Sequence, residues 1–192
     1  MKNLAISLAL TSALLTLAAP QSAQAQRAAA APKSANGQQT LNFDGKRYLH
    51  RYSKNGQHEF TPAGQEDLQR WQEMLTLVMR PGADAENTRQ WAEAMAAGYK
   101  EKGLLVQADQ PPGGEYRMLG VLGAPGMTEV NFVRVMPHGS GAMTVLVQRR
   151  FYGEESRQMA DWVRDNSPRL SGLLVDWQPP AESQIKALPE SP

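Results

Sequence analysis

Residues 48–60 read YLHRYSKNGQHEF, and the way they pair decides what the N-terminal part of the fold can be. Asn55-Gly56 between two aromatic-rich runs predicts a β-hairpin with a two-residue type I′ turn, because both central residues need positive φ. With that pair as the loop, Lys54 faces Gln57, Ser53 faces His58, Tyr52 faces Glu59 and His50 faces Thr61. Cross-strand partners share a face of the sheet and successive residues alternate. His50 then lies with Tyr48, Tyr52 and Glu59, and His58 with Leu49, Arg51, Ser53 and Phe60. On this register the two imidazoles point to opposite sides of the ribbon. Zinc–nitrogen distances near ~2 Å leave them unable to share one ion. The expectation is no metal and no cofactor, and a one-residue slip would reverse the argument.

Beyond the hairpin, Thr61-Pro62-Ala63-Gly64 predicts a turn, and residues 68–71 a short helical piece. WQEMLTLVMRPG, with Leu75, Leu77 and Met79 in alternation before Pro81-Gly82, suits a strand. The first clear helix follows. Asp84 or Asn87 can cap it, Trp91, Ala92, Met95, Ala96 and Tyr99 line one face, and Lys100 and Lys102 sit at its negative end. Gly103 is the expected left-handed C-cap. Four strands are predicted at residues 104–108, 116–122, 128–136 and 142–152. Treating residues 137–141 as the last loop pairs Met136 with Ala142. That puts Val133, Val135, Met143, Val145, Val147 and Phe151 on one face, Arg134, Thr144, Gln148 and Arg150 on a wetter one, and leaves Phe132 and Leu146 as exceptions. A second helix starts near Glu154 or Glu155 with Met159, Trp162 and Val163 inward. Ser167-Pro168 is expected to interrupt it and restart a short helix, with a terminal strand GLLVDW as the competing reading.

The inventory for chemistry is thin. Gly139-Ser140-Gly141 lies between two strands, whereas a catalytic serine loop needs a strand-to-helix elbow. Gly120, Gly123 and Gly126 lack the lysine and following helix of a phosphate loop. The chain has no cysteine, which removes thiol catalysis and cysteine-ligated zinc. In the register above Glu129 lies across from Arg149 as a partly buried ion pair. The candidate binding residues are therefore Tyr48, His50, Tyr52, Glu59, Glu129 and Arg149, with no catalytic set among them. An enzyme would have to draw on scattered groups such as His50, Glu59 and Arg149.

The ends define where the chain goes. MKNLAISLALTSALLTLAAPQSAQA has Lys2, an apolar run over residues 4–18 and Ala23-Gln24-Ala25, the pattern of a secretory signal peptide cleaved before Gln26. Its apolar run is shorter than the about 20 residues a membrane span needs. The expected product is a soluble periplasmic or secreted protein. Removing Lys2 balances basic and acidic residues at 19 each, so no electrostatic case exists for nucleic acid or stable membrane insertion. Residues 26–40 are Ala/Gln/Ser-rich and read as a disordered lead-in. Residues 41–177 read as a single domain, and 178–192 as a loose Pro-rich tail.

The fold class predicted is α+β: a curved antiparallel sheet with an N-terminal hairpin and two main helices packed on it. This element order, with the helices QWAEAMAAGYKEKG and SRQMADWVRDN, resembles the PsbP-like/DcrB-like α/β/α sandwich of small exported bacterial proteins and photosystem accessory proteins. The resemblance implies an accessory or binding role without catalysis and transfers no site residue. A protein partner is expected, met through an exposed apolar patch including Tyr48 and Tyr52. A small periplasmic hydrolase or a small-ligand-binding protein is the alternative.

Overall fold

The computed structural model describes residues 39–192; the expected signal peptide and nearly all of the expected lead-in lie outside the described residues. Eight strands form one antiparallel sheet: β1 (Thr40–Phe43), β2 (Lys46–Lys54), β3 (Gln57–Pro62), β4 (Glu73–Pro81), β5 (Gly103–Asp109), β6 (Tyr116–Ala124), β7 (Met127–His138) and β8 (Gly141–Tyr152). Their spatial order is β1-β2-β3-β4-β8-β7-β6-β5, so two four-stranded meanders join where β4 pairs with β8. Helix α1 (Ala85–Lys102) carries the chain from the centre of the sheet to the far edge at β5. A 3-10 turn at Gly153–Gln158 leads into α2 (Met159–Asp176), and a short helix α3 (Glu182–Lys186) follows. This is the α+β class expected, with the sheet open rather than closed.

Both faces of the sheet are covered, which corrects the expectation of one wetter face. On one face Phe60, Leu75, Leu77, Val130, Phe132, Met143, Val145, Val147 and Phe151 pack under α2, with Leu170 and Leu174 buried and Trp162 against the cluster. On the other, Val78, Val133, Val135 and Leu146 pack under Trp91, Ala92, Met95 and Tyr99 of α1. At the end of that second face, residues 63–72 fold over as turns and bends, not as the helical piece expected, and bury Leu68 and Trp71 against Tyr52 and Met74.

Local chemistry accounts for the element boundaries. Asp84 caps α1 by accepting the Asn87 N–H at 2.7 Å. Gly103 ends α1 with extended backbone (φ −169°), not in the left-handed conformation expected. The glycine is required there by close approach, since a Cβ would lie 2.1 Å from the Val121 carbonyl oxygen. Gly120 serves the same purpose beneath the Tyr99 ring, which a Cβ would meet at 2.3 Å.

Pro168 does not break α2, which is continuous over 18 residues. The proline removes one N–H, and Arg164 four residues back is exposed, so water is available to its freed carbonyl. Burial of Leu170 and Leu174 holds the second half of the helix in line. The tail is not loose either. Trp177 Nε1 donates to the Asn42 carbonyl, Ile185 is 1% exposed, and Ser191 exchanges hydrogen bonds with the Ser53 backbone at 2.7 and 3.0 Å. Residues 178–192 thus strap the hairpin end of the sheet. Among the described residues no helix is long and apolar enough to cross a membrane.

Candidate functional site

The hairpin turn forms as its sequence demands, with Asn55 and Gly56 at φ of 52° and 76°. Lys54–Gln57, Ser53–His58 and Tyr52–Glu59 pair as expected, but a bulge between His50 and Tyr52 then shifts the register. His50 faces Phe60, not Thr61, and this returns it to the face that carries His58. The bulged residue, Arg51, reaches Thr61 Oγ1 at 3.0 Å and the Glu66 carboxylate at 2.9 Å, which supplies the local reason for the extra residue. Ser53 Oγ bridges His50 Nε2 and His58 Nδ1, each at 2.7 Å. A hydroxyl has one proton, so it donates to one ring and accepts from the other. Burial, with the His50 charge second, holds the His58 imidazole down to about 4, and burial also lowers His50. Ser53 is fully buried, so this triplet presents no accessible nucleophile. No group of three or more metal-binding side chains occurs among the described residues.

A second register correction applies to β7 and β8. Gly139-Ser140 alone forms the loop, so Met136 faces Met143 and Glu129 faces Arg150 instead of Arg149. Glu129 and Arg150 make an ion pair at 2.7 Å with side chains only 1% and 4% exposed. Gln148 Nε2 donates to Glu129 and to Asn131 while its carbonyl accepts from Thr76. The Arg150 guanidinium lies 3.9 Å over the Trp71 ring. Apart from Asn131 Nδ2, which is buried with no hydrogen-bond partner among the described residues, this polar set is satisfied on the face covered by residues 63–72, and it fastens that segment to the sheet. Phe132 and Leu146 cease to be exceptions, since each belongs to an apolar cluster on its own face. Ser140 is engaged structurally: its N–H and hydroxyl both bond the Glu182 carboxylate and so dock α3.

The six candidate residues therefore divide between the two faces. Tyr52, Glu59 and Glu129 lie on the α1 side, and Tyr48, His50 and Arg149 on the α2 side. Glu59 is buried on its face, with Gln57 Nε2 donating to it at 2.5 Å. The separation of His50, Glu59 and Arg149 rules them out as one convergent catalytic set. Tyr48 and Tyr52 are 3% and 5% exposed, so they form no surface patch.

Tyr48 and Arg149 do share a cleft of about 280 Å³ under α2. Glu73 at the start of β4 receives Lys46 Nζ at 2.7 Å, Arg149 Nη1 at 2.9 Å and the Tyr48 hydroxyl at 3.3 Å. Burial, and then the Glu73 charge, push the Tyr48 phenol well above its ordinary value. Arg169 of α2 pairs with Asp44 in the β1–β2 turn. Trp162 closes the cleft, its ring edge-on to Phe132 and Phe151 and 5.9 Å from the Arg149 guanidinium. The sequence reading missed Lys46, Glu73, Asp44 and Arg169. A signal for part of this was present: Asp44-Gly45 between LNF and KRYLHRY is a two-residue hairpin turn, and both residues have positive φ.

The far edge of the sheet has a different character. Every residue of β5 except Leu105 is exposed, and Leu104 and Val106 present 58% and 46% of their surface. The outer side of β5 has no neighbouring strand among the described residues.

Comparison with known proteins adds little. No family model matches the chain and no curated protein matches it. Among solved structures, LpqN of Mycobacterium tuberculosis, described as involved in cell envelope biogenesis, matches at 11% identity and a TM-score of 0.29. That alignment covers 70% of this chain and 76% of LpqN. A likeness of that size carries no argument about function.

Proposed function

We propose that this chain is an exported accessory or binding protein that acts without catalysis, by pairing with another exported protein through β5. The observation that carries the reading is the open edge of β5, with Leu104 and Val106 exposed beside unpaired backbone groups. Sheet edges of this kind accept an extended segment as an added strand, the backbone supplying affinity and alternate side chains specificity. The opposite edge offers less, since β1 has four residues and its Asn42 carbonyl is taken by Trp177. The bulge between Leu105 and Gln107 divides β5 into two short pairing stretches, which fits a short peptide segment better than a long strand. The leader sequence supports a periplasmic or secreted location after cleavage before Gln26. The element order keeps the resemblance to PsbP-like and DcrB-like accessory proteins as part of this proposal.

The test is affinity capture of the tagged mature chain from the exported fraction of its host, beside a Leu104→Lys/Val106→Lys variant. Both positions are exposed, so the variant keeps the wild-type melting temperature within a few degrees. A stoichiometric protein retained by wild type and lost by the variant supports the reading. Equal retention by both, or no retained protein, refutes it.

A further inference from the structure

We propose that the cleft between the β1–β2 turn and α2 binds a small amphiphile with a singly charged anionic head. This site lies on the β1–β2 side of the sheet, apart from β5, and stands independently of the partner reading. Three cations, Lys46, Arg149 and Arg169, meet two carboxylates, Glu73 and Asp44, which leaves one positive charge uncompensated in the cleft. Arg149 Nε is buried and has no hydrogen-bond partner among the described residues, although its Nη1 holds Glu73. The Arg149 side chain is a quarter exposed and a guanidinium carries five N–H donors, so an anionic oxygen can take an exposed Nη donor while Nη1 stays on Glu73. Lys46 is half exposed at the mouth and, with Glu73 taking two of its three N–H donors, has a third to offer the same head.

The rest of the wall is apolar. Phe132, Val147, Leu170 and the Trp162 ring line the inner part of the cleft. A ligand that satisfies both regions has a monoanionic head on Arg149 and Lys46 and a short hydrocarbon or aromatic body over Phe132 and Leu170. The volume, about 280 Å³, falls just below the about 300–1,000 Å³ typical of small-ligand pockets, so the body is short. A second, larger cleft of about 350 Å³ near Arg117 and Arg134 serves as the internal control. There Arg117 Nε is likewise buried without a partner among the described residues, but Asp109 and Asp176 line the cleft beside Arg117 and Arg134, and Glu115 pairs with both arginines, so no positive charge is in excess.

Calorimetric titration with octanoate tests the proposal, with octylamine and acetate as probes of head charge and tail. Expected are saturable one-to-one binding of octanoate, at least about tenfold weaker binding of octylamine and of acetate, and about tenfold weakening of octanoate binding in Arg149→Gln. Lys46→Gln, at an exposed position, is expected to weaken octanoate severalfold with an unchanged melting temperature, so the test survives if Arg149→Gln folds poorly. Arg117→Gln is expected to bind octanoate as wild type does. Equal affinity for octanoate and octylamine, no octanoate binding, unchanged binding in Lys46→Gln, or loss confined to Arg117→Gln would each overturn the assignment.

Discussion

Replacing Arg150 by Met isolates the energetics of the buried polar set. Arg150 and Glu129 are 4% and 1% exposed and meet at 2.7 Å, so water does not replace the lost partner. After the substitution the Glu129 carboxylate keeps the Gln148 amide at 3.0 Å as a donor, but faces no cation in that pair. Breaking a buried pair from one side costs about 3–5 kcal/mol, because a charge is left uncompensated. The guanidinium also covers Trp71 at 3.9 Å, a cation–π contact worth about 1–2 kcal/mol of that total when desolvated. With a urea m-value of about 2 kcal/mol/M, the denaturation midpoint falls by about 2 M.

A further measurement separates charge from packing. Adding Glu129→Gln to Arg150→Met removes the orphaned charge, and the double variant is expected to be about 2 kcal/mol more stable than Arg150→Met alone. An Arg150→Met midpoint within about 0.5 kcal/mol of wild type at pH 8 refutes the reasoning. A double variant no better than the single one would leave only the contact with Trp71 as the cause.

Three other outcomes follow from the geometry. The His58 value held down to about 4 against an ordinary 6.5 means that the unfolded chain binds more protons between those values. This contribution is therefore complete above pH 6.5 and is lost as pH falls toward 4; His58→Gln should remove about 2–3 kcal/mol of that acid-side slope in pH-dependent urea melts, and an unchanged slope would contradict it. Gly120→Ala forces a Cβ to within 2.3 Å of the Tyr99 ring, so it should cost about 1–3 kcal/mol, whereas Gly123→Ala, with open space around it, should cost under 1; equal thermal shifts for both would reject the close-packing argument. Ile185→Ala should cost about 2–4 kcal/mol and raise proteolytic cleavage within 178–192, because this side chain is the buried anchor of α3; wild-type protease resistance would mean that the strap is held by Ser191 and Glu182 alone.

Some features of this molecule were readable from short stretches of chain. Asn55-Gly56 specifies its turn because few residues tolerate positive φ, and the Trp91 stripe specifies a helix because apolar residues recur with its period. The strands from Tyr116 to Tyr152 were likewise placed within two residues at each end. The candidate site was much less visible. Only Tyr48 and Arg149 of the six residues selected share the cleft, and Lys46, Glu73 and Arg169 reach it from three elements distant in sequence.

What the sequence alone determined is the set of local conformations: turns, strands, helices and the alternation within each. The tertiary structure decided which faces those alternations serve. Side chains on a strand repeat every two residues, so the bulge at Arg51 and a one-residue difference in the β7–β8 loop each exchange one face for the other. Those shifts are selected by distant partners, Glu66 for Arg51 and Trp71 for Arg150, which local propensity does not contain. The same holds for residues 178–192, whose proline-rich composition suggests a free tail until Ile185 finds its apolar pocket and Ser191 finds Ser53. Backbone preference acts within a few residues, whereas burial and charge pairing act between whichever groups the fold brings together.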